Sequence, residues 1–301
     1  MSRCKAPRGD VGIQVVFRQV NVTLEEGTMC QLLYLLLLVI TFSHFTDGIK
    51  LWNSRNPKGN TMWRGNWNLD RTTYRGQESV SAEPNPDGSN NKVNAIFLSQ
   101  GSYGLTDIFS GAEFYSAPLE PRECLTLVYK VRFEDNFDFA YGGKLPGLYG
   151  GGVNCTAGGD PGKDCFTSRF IWRTGGVGGA ALFTTAQQTP GFCATEGVEC
   201  NDAWGHRLGS GSFQFQTGTW YTIQQTVRLN TPGQADGYVR IAVGGVGKVY
   251  DVSNVVIRES PDVKVDGILF SNYFGGTSSC SGSPVDTHAY FRYFVLKDNF
   301  C

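Results

Sequence analysis

Leu125-Thr126-Leu127-Val128-Tyr129-Lys130-Val131-Arg132-Phe133 alternates with a period of two. Leu125, Leu127, Tyr129, Val131 and Phe133 fall on one face, and Thr126, Val128, Lys130 and Arg132 on the other. Successive side chains of an extended chain point to opposite faces, so this is the pattern of a half-buried strand. Tyr221–Leu229 repeats it, with Tyr221, Ile223, Gln225, Val227 and Leu229 sharing a face. Thr231-Pro232-Gly233 and Asp236-Gly237 then mark a turn before Tyr238–Val243. Val249–Arg258, Gly267–Phe274 and Ala289–Leu296 read as further strands. No helical periodicity is sustained beyond residue 47, and no internal repeat is visible.

Composition agrees: the 301 residues include 39 Gly, 20 Phe and 13 Tyr but only 3 Met, as expected of many strands joined by glycine-rich turns. An all-β sandwich or jelly roll follows, as one domain over residues 48–301. Residues 48–92 read as irregular, with Trp52, Trp63 and Trp67 set among Asn, Arg and Gly. The glycine clusters at 175–179 and 244–247 read as hairpin loops, because neither opens a helix that would cradle a phosphate.

The formal net charge is -1, from 26 Lys+Arg against 27 Asp+Glu. That balance argues against nucleic acid as a partner and requires any polyanion to be held by a local patch. Leu32–Phe42 is a nearly unbroken apolar run, too short to span a bilayer but suited to the core of a secretory signal. Small residues Thr41 and Ser43 precede a candidate cleavage point. Residues 29–47 are read as that signal, beginning at Met29, and residues 1–28 as a gene-model extension. The runner-up is a type II membrane anchor. The expected mature protein is a secreted, extracellular monomer with no stable membrane insertion.

Seven cysteines lie beyond residue 47, with no C-x-x-C pair and no histidine cluster, so neither a metal site nor a cofactor is expected. Cys155–Cys165 and Cys193–Cys200 would each close a short glycine-rich loop in an oxidising compartment, with one thiol left over. Asn154-Cys155-Thr156 is a weak glycosylation sequon.

There is no nucleophile elbow, P-loop or H-E-x-x-H. Gly142-Gly143-Lys144-Leu145-Pro146-Gly147-Leu148-Tyr149-Gly150-Gly151 is different, since it sets a lysine on backbone that a ligand can approach closely. Phe166–Arg173, as a strand, puts Phe166, Phe170 and Trp172 on one face and Thr167, Arg169, Ile171 and Arg173 on the other. Two guanidinium groups on one face suit carboxylates, which accept their paired donors. The alternative is a solvated outer face.

GGKLPGLYGG closely resembles the signature of polysaccharide lyase family 14, which includes alginate and glucuronan lyases. The similarity extends through Gly111–Pro118, Phe137–Phe139, Phe166–Arg173, Gly209–Phe213, Thr219-Trp220, Gly267–Gly276 and Tyr290–Phe294. The resemblance implies a β-jelly roll with a groove on one sheet, and an acidic polysaccharide as partner. It further implies β-elimination on a uronate polymer, with Lys144 as base and Arg169 neutralising the carboxylate. Neighbouring arginines would lower the lysine's pKa, as a base requires. Thr167 stands where the family carries a serine, with Ser168 adjacent. Arg173, Tyr149, Ser168, His206 and Tyr273 are the expected substrate contacts, and Trp172 and Trp204 candidate stacking platforms. The family also carries a Tyr-x-Tyr pair beyond the arginine; here the spacing lands on Ala181-Leu182-Phe183. Two classes follow: a secreted lyase, which the intact GGKLPGLYGG favours, or a non-catalytic polyuronate-binding jelly roll, which the missing phenols favour.

Overall fold

The alternating stretches pair as strands in two antiparallel sheets. The computed structural model describes residues 48–54, 57, 65–104, 110–153, 155, 164–244, 246–298 and 301. Ile49–Cys301 form one compact unit. In chain order the strands are β1 (Lys50–Asn53), β2 (Leu69–Arg75), β3 (Val80–Pro84), β4 (Lys92–Leu98), β5 (Ala112–Ser116), β6 (Cys124–Phe133), β7 (Gly142–Gly150) and β8 (Phe166–Arg173). They continue with β9 (Val177–Thr184), β10 (Val198–Glu199), β11 (His206–Gln214), β12 (Trp220–Arg228), β13 (Gly237–Val243), β14 (Gly247–Val255), β15 (Val265–Phe274) and β16 (Thr287–Lys297). One sheet runs β14-β13-β12-β6-β16-β4-β3, with β1 joined to β16; the other runs β10-β11-β9-β8-β7-β15-β5-β2. The result is a β-jelly roll.

β6 lies inside the first sheet between β12 and β16, with Tyr129 opposite Ile223 and Val131 opposite Phe291. Its apolar face is wholly buried, as the alternation requires. The second sheet answers with Phe114, Leu148, Phe166, Phe170, Trp172 and Phe270. Aromatic rings fill the space between: Phe114 stacks on Phe270 at 4.8 Å and Tyr129 on Phe294 at 4.9 Å, while Trp172 meets Phe133 and Phe274 edge-on, both at 5.5 Å. Each ring fully removed from water stabilises the sandwich by about 1.5–3 kcal/mol. Two polar bridges cross this core. The Tyr129 hydroxyl donates to the Pro146 carbonyl at 2.9 Å, and Gln225 Nε2 donates to Ser168 Oγ at 3.0 Å.

Several expectations need correction. Residues 48–92 are not irregular throughout, because β1, β2 and β3 lie there; their short alternations are interrupted by Gly, Pro and Asn. Gly142–Gly150 of GGKLPGLYGG form strand β7, and Val177-Gly178-Gly179 belongs to β9 rather than to a loop. The second glycine cluster does join a hairpin, between β13 and β14. Cys155–Cys165 and Cys193–Cys200 are bridged as expected, and Cys124–Cys301 is a third pair. Cys280 is disulfide-bonded too, so it is not the spare thiol that the odd count suggested. The signal, the extension before it and Asn154 of the sequon lie outside the described residues.

Candidate active site

Proline cannot donate to a sheet ladder, so Pro146 inside a central strand needs a local irregularity. The register supplies one. Lys144 pairs with Ile171 and Gly147 with Arg169, so Leu145 and Pro146 together face Phe170 alone. This bulge re-aims the strand, and the Tyr129 hydroxyl satisfies the proline's carbonyl from the opposite sheet. Two glycines of the motif serve close packing. A Cβ on Gly143 would lie 2.2 Å from the Trp172 ring, and one on Gly147 would lie 1.9 Å from the Ser168 carbonyl oxygen. Any side chain at either position would push away β8, the strand that carries Arg169.

Arg169 is buried, and its hydrogen bonds to the described residues leave from one nitrogen. Nη1 donates to Glu113 Oε2 at 3.1 Å, to Ser271 Oγ at 3.2 Å and to the Tyr273 hydroxyl at 3.3 Å. Glu113 Oε2 also accepts from Ser271 Oγ at 3.0 Å and from the Tyr273 hydroxyl at 3.2 Å. The guanidinium is thus fixed at one end, and its remaining N–H groups keep the capacity to meet a carboxylate. Lys144 is the register partner of Tyr273 on β15, so their side chains start from adjacent positions on one face.

These groups floor a groove of about 650 Å³ on the outer face of the second sheet. Among the described residues, Arg75, Lys144, Arg169, Arg173 and Arg207 line it against a single acid, Glu113. Tyr141, Asn201 and Trp204 stand around it, and Trp204 is 63% exposed. Burial first, then the charges of Arg169 and Arg173, lower the Lys144 pKa from 10.5 to about 7; Glu113 only partly offsets them. Desolvation and the nearby Arg207 lower that of Arg173. The floor combines an amine that is substantially neutral at physiological pH with fixed positive charge around it. This equips it to take a proton from carbon beside a bound carboxylate.

Of the expected site residues, Lys144, Arg169, Arg173 and Tyr273 come together in this groove. The other four do not line it. Ser168 points between the sheets to Gln225, because alternation turns it away from Arg169. His206 is buried on the inner face of β11, with its ring 5.4 Å from Phe192, and burial lowers its pKa; the next residue, Arg207, faces the groove instead. Tyr149 packs edge-on against Tyr115 at 4.8 Å, in a small apolar cluster with Leu269. Thr167 shares the Arg169 face but is buried at the register between Tyr149 and Phe183. Its hydroxyl has no hydrogen-bond partner among the described residues. Trp172 is fully buried core, leaving Trp204 as the exposed indole. Glu113, Arg207 and Arg75 went unnoticed. The signal for Glu113 was a lone carboxylate in the otherwise uncharged strand Ala112–Ser116, opposite in parity to Phe114.

The family model described as polysaccharide lyase 14 matches residues 86–294. The chain belongs to that family. A crystal structure of the marine PL-14 alginate lyase from Aplysia kurodai is 31% identical to it, with a TM-score of 0.75 over 82% of this chain and 98% of that one. An alginate lyase from Chlorella virus (22% identity, TM-score 0.60, 77% and 93% covered) shares the fold. So does an endo-beta-1,4-glucuronan lyase from the fungus Trichoderma reesei (13% identity, TM-score 0.53, 84% and 97% covered). No curated protein sequence matches significantly. Within this polysaccharide lyase 14 chain, the residue facing Arg169 across β8 and β9 is Ala181, where the motif spacing placed the first missing phenol.

Proposed function

We propose that the protein is a secreted lyase that cleaves a uronic-acid polymer of the alginate or glucuronan type by β-elimination. One observation carries the reading: a lysine with its pKa lowered to about 7 shares a basic groove with an arginine anchored by Glu113. Neutral Lys144 takes the proton at C5, alpha to the sugar carboxylate. Arg169 meets that carboxylate and stabilises the charge that grows on it as an enolate. The bond from C4 to the linking oxygen then breaks. The 31% identity to an alginate lyase over nearly that protein's whole length supports a polyuronate as substrate, and the three disulfides between described residues support an oxidising destination. N-terminal sequencing of secreted material should begin near residues 44–48; finding Arg3 or Gln14 would refute processing.

Ala181 opposite Arg169 favours a second reading, in which the groove holds a polyuronate without cutting it. Lys144→Ala separates the two. In a lyase it abolishes turnover and leaves polymer affinity largely intact, whereas Arg169→Ala harms both. In a binding protein Lys144 would be protonated against a carboxylate, and both substitutions would weaken affinity alike and reduce its salt dependence.

A further inference from the structure

The elimination has a second half that Lys144 and Arg169 do not serve. Breaking the bond from C4 to the linking oxygen releases an alkoxide, a strongly basic leaving group that departs readily only if it is protonated as it leaves. We propose that Tyr273 is the catalytic acid that protonates this oxygen, with Glu113 positioning its hydroxyl; the proposal rests on the lyase reading.

Geometry selects Tyr273 from the groups in the groove. Its hydroxyl accepts from Arg169 Nη1 at 3.3 Å and donates to Glu113 Oε2 at 3.2 Å, so it is oriented beside the group that would hold the substrate carboxylate. It is the register partner of Lys144, which puts acid and base on neighbouring strands of one face. The other lining phenol, Tyr141, is 45% exposed and joins neither partner. Arginines hold their protons too tightly to give them up. Burial, reinforced by Glu113 and opposed by Arg169, raises the Tyr273 pKa to about 12, so the phenol is protonated at neutral pH.

The step balances with these two residues. Lys144 Nζ takes the C5 proton, and the electrons of that bond form the C4=C5 double bond as the C4–O bond breaks. Tyr273 turns from Glu113 and gives its proton to the departing oxygen. The resulting phenolate, the stronger base of the pair, then recovers a proton from the Lys144 ammonium, and both return to their starting forms.

The test compares wild type with Tyr273→Phe on two substrates. One is the polyuronate that the wild type cleaves; the other is a small uronate whose 4-oxygen bears a nitrophenyl group and leaves without protonation. On the polymer, kcat should fall about 10²–10⁴-fold with KM little changed. On the nitrophenyl compound the rate should barely change. In wild type, a solvent deuterium isotope effect should appear on the polymer and vanish on the nitrophenyl compound, a measurement that does not depend on the variant folding. Near-wild-type polymer turnover by Tyr273→Phe, equal losses on both substrates, or equal isotope effects would overturn this role and leave the lyase reading standing. Absence of any unsaturated product from wild type would bring down both.

Discussion

Lys144→Met exchanges a suppressed charge for an apolar chain of similar length, and its effect on stability should depend on pH in a defined way. In the unfolded chain this lysine titrates near 10.5, while in the folded protein burial and the two arginines bring it to about 7. Between those values the unfolded state binds more protons, so wild-type stability rises with pH through this window. Below about pH 7 the folded protein bears the full cost of a charged, half-buried amine. The whole depression corresponds to about 5 kcal/mol as an upper bound, and water in the open groove reduces the expected figure to about 2–3 kcal/mol. Lys144→Met lacks the term altogether. Urea unfolding with disulfides intact, run at pH 6, 8 and 10.5, should show the variant's advantage greatest at pH 6 and lost by 10.5. Burial of the methionine adds only a pH-independent offset. A difference that does not change with pH, or one that grows as pH rises, would refute the suppressed charge on which the base assignment depends.

Tyr129→Phe should orphan the Pro146 carbonyl at the bulge under Lys144. Thermal or urea unfolding should register a loss of about 1–3 kcal/mol, and turnover should fall with it because the lysine's strand is no longer pinned. Replacing Cys193 and Cys200 by serine releases the segment preceding Trp204; it should cost about 2–3 kcal/mol by the loop-entropy estimate and raise KM more than it lowers kcat. Arg207→Ala should weaken polymer binding and flatten its salt dependence, since Arg207 faces the groove two strands from Arg169. Unchanged affinity across salt would remove Arg207 from the polymer-binding surface.

The strands that decide the fold were legible because period-two patterning reports burial on one face, and β6 and β8 appear almost where it placed them. The same parity also held Arg169 and Arg173 together on one face. Sequence reading failed where position depends on pairing between distant strands. Ser168 shares the parity of Phe166 and Phe170, so the same alternation already turned it inward. His206, by contrast, is adjacent to a groove residue, and only the orientation of β11 turns it inward. Tyr149 carries a polar tip that promised a sugar contact, but Tyr115, two strands away in the same sheet, packs against it. Glu113 acquires meaning only when β15 brings Ser271 and Tyr273 beside it and β8, two strands further along the sheet, presents Arg169. β1 to β3 escaped notice because they are short and broken by turn residues. Their alternation never extended far enough to stand out.

The central claim is that Lys144 and Arg169 perform elimination on a polyuronate. Its most direct test is to incubate purified protein with mannuronate-rich, guluronate-rich and glucuronate polymers and follow ultraviolet absorbance of the unsaturated sugar, beside Lys144→Ala. Absorbance should rise with at least one polymer, faster as pH increases through about 7 where Lys144 loses its proton, and should be absent with Lys144→Ala although that variant still binds the polymer. No absorbance with any polymer, together with weakened binding by Lys144→Ala, would contradict the claim and leave a polysaccharide-binding groove in its place.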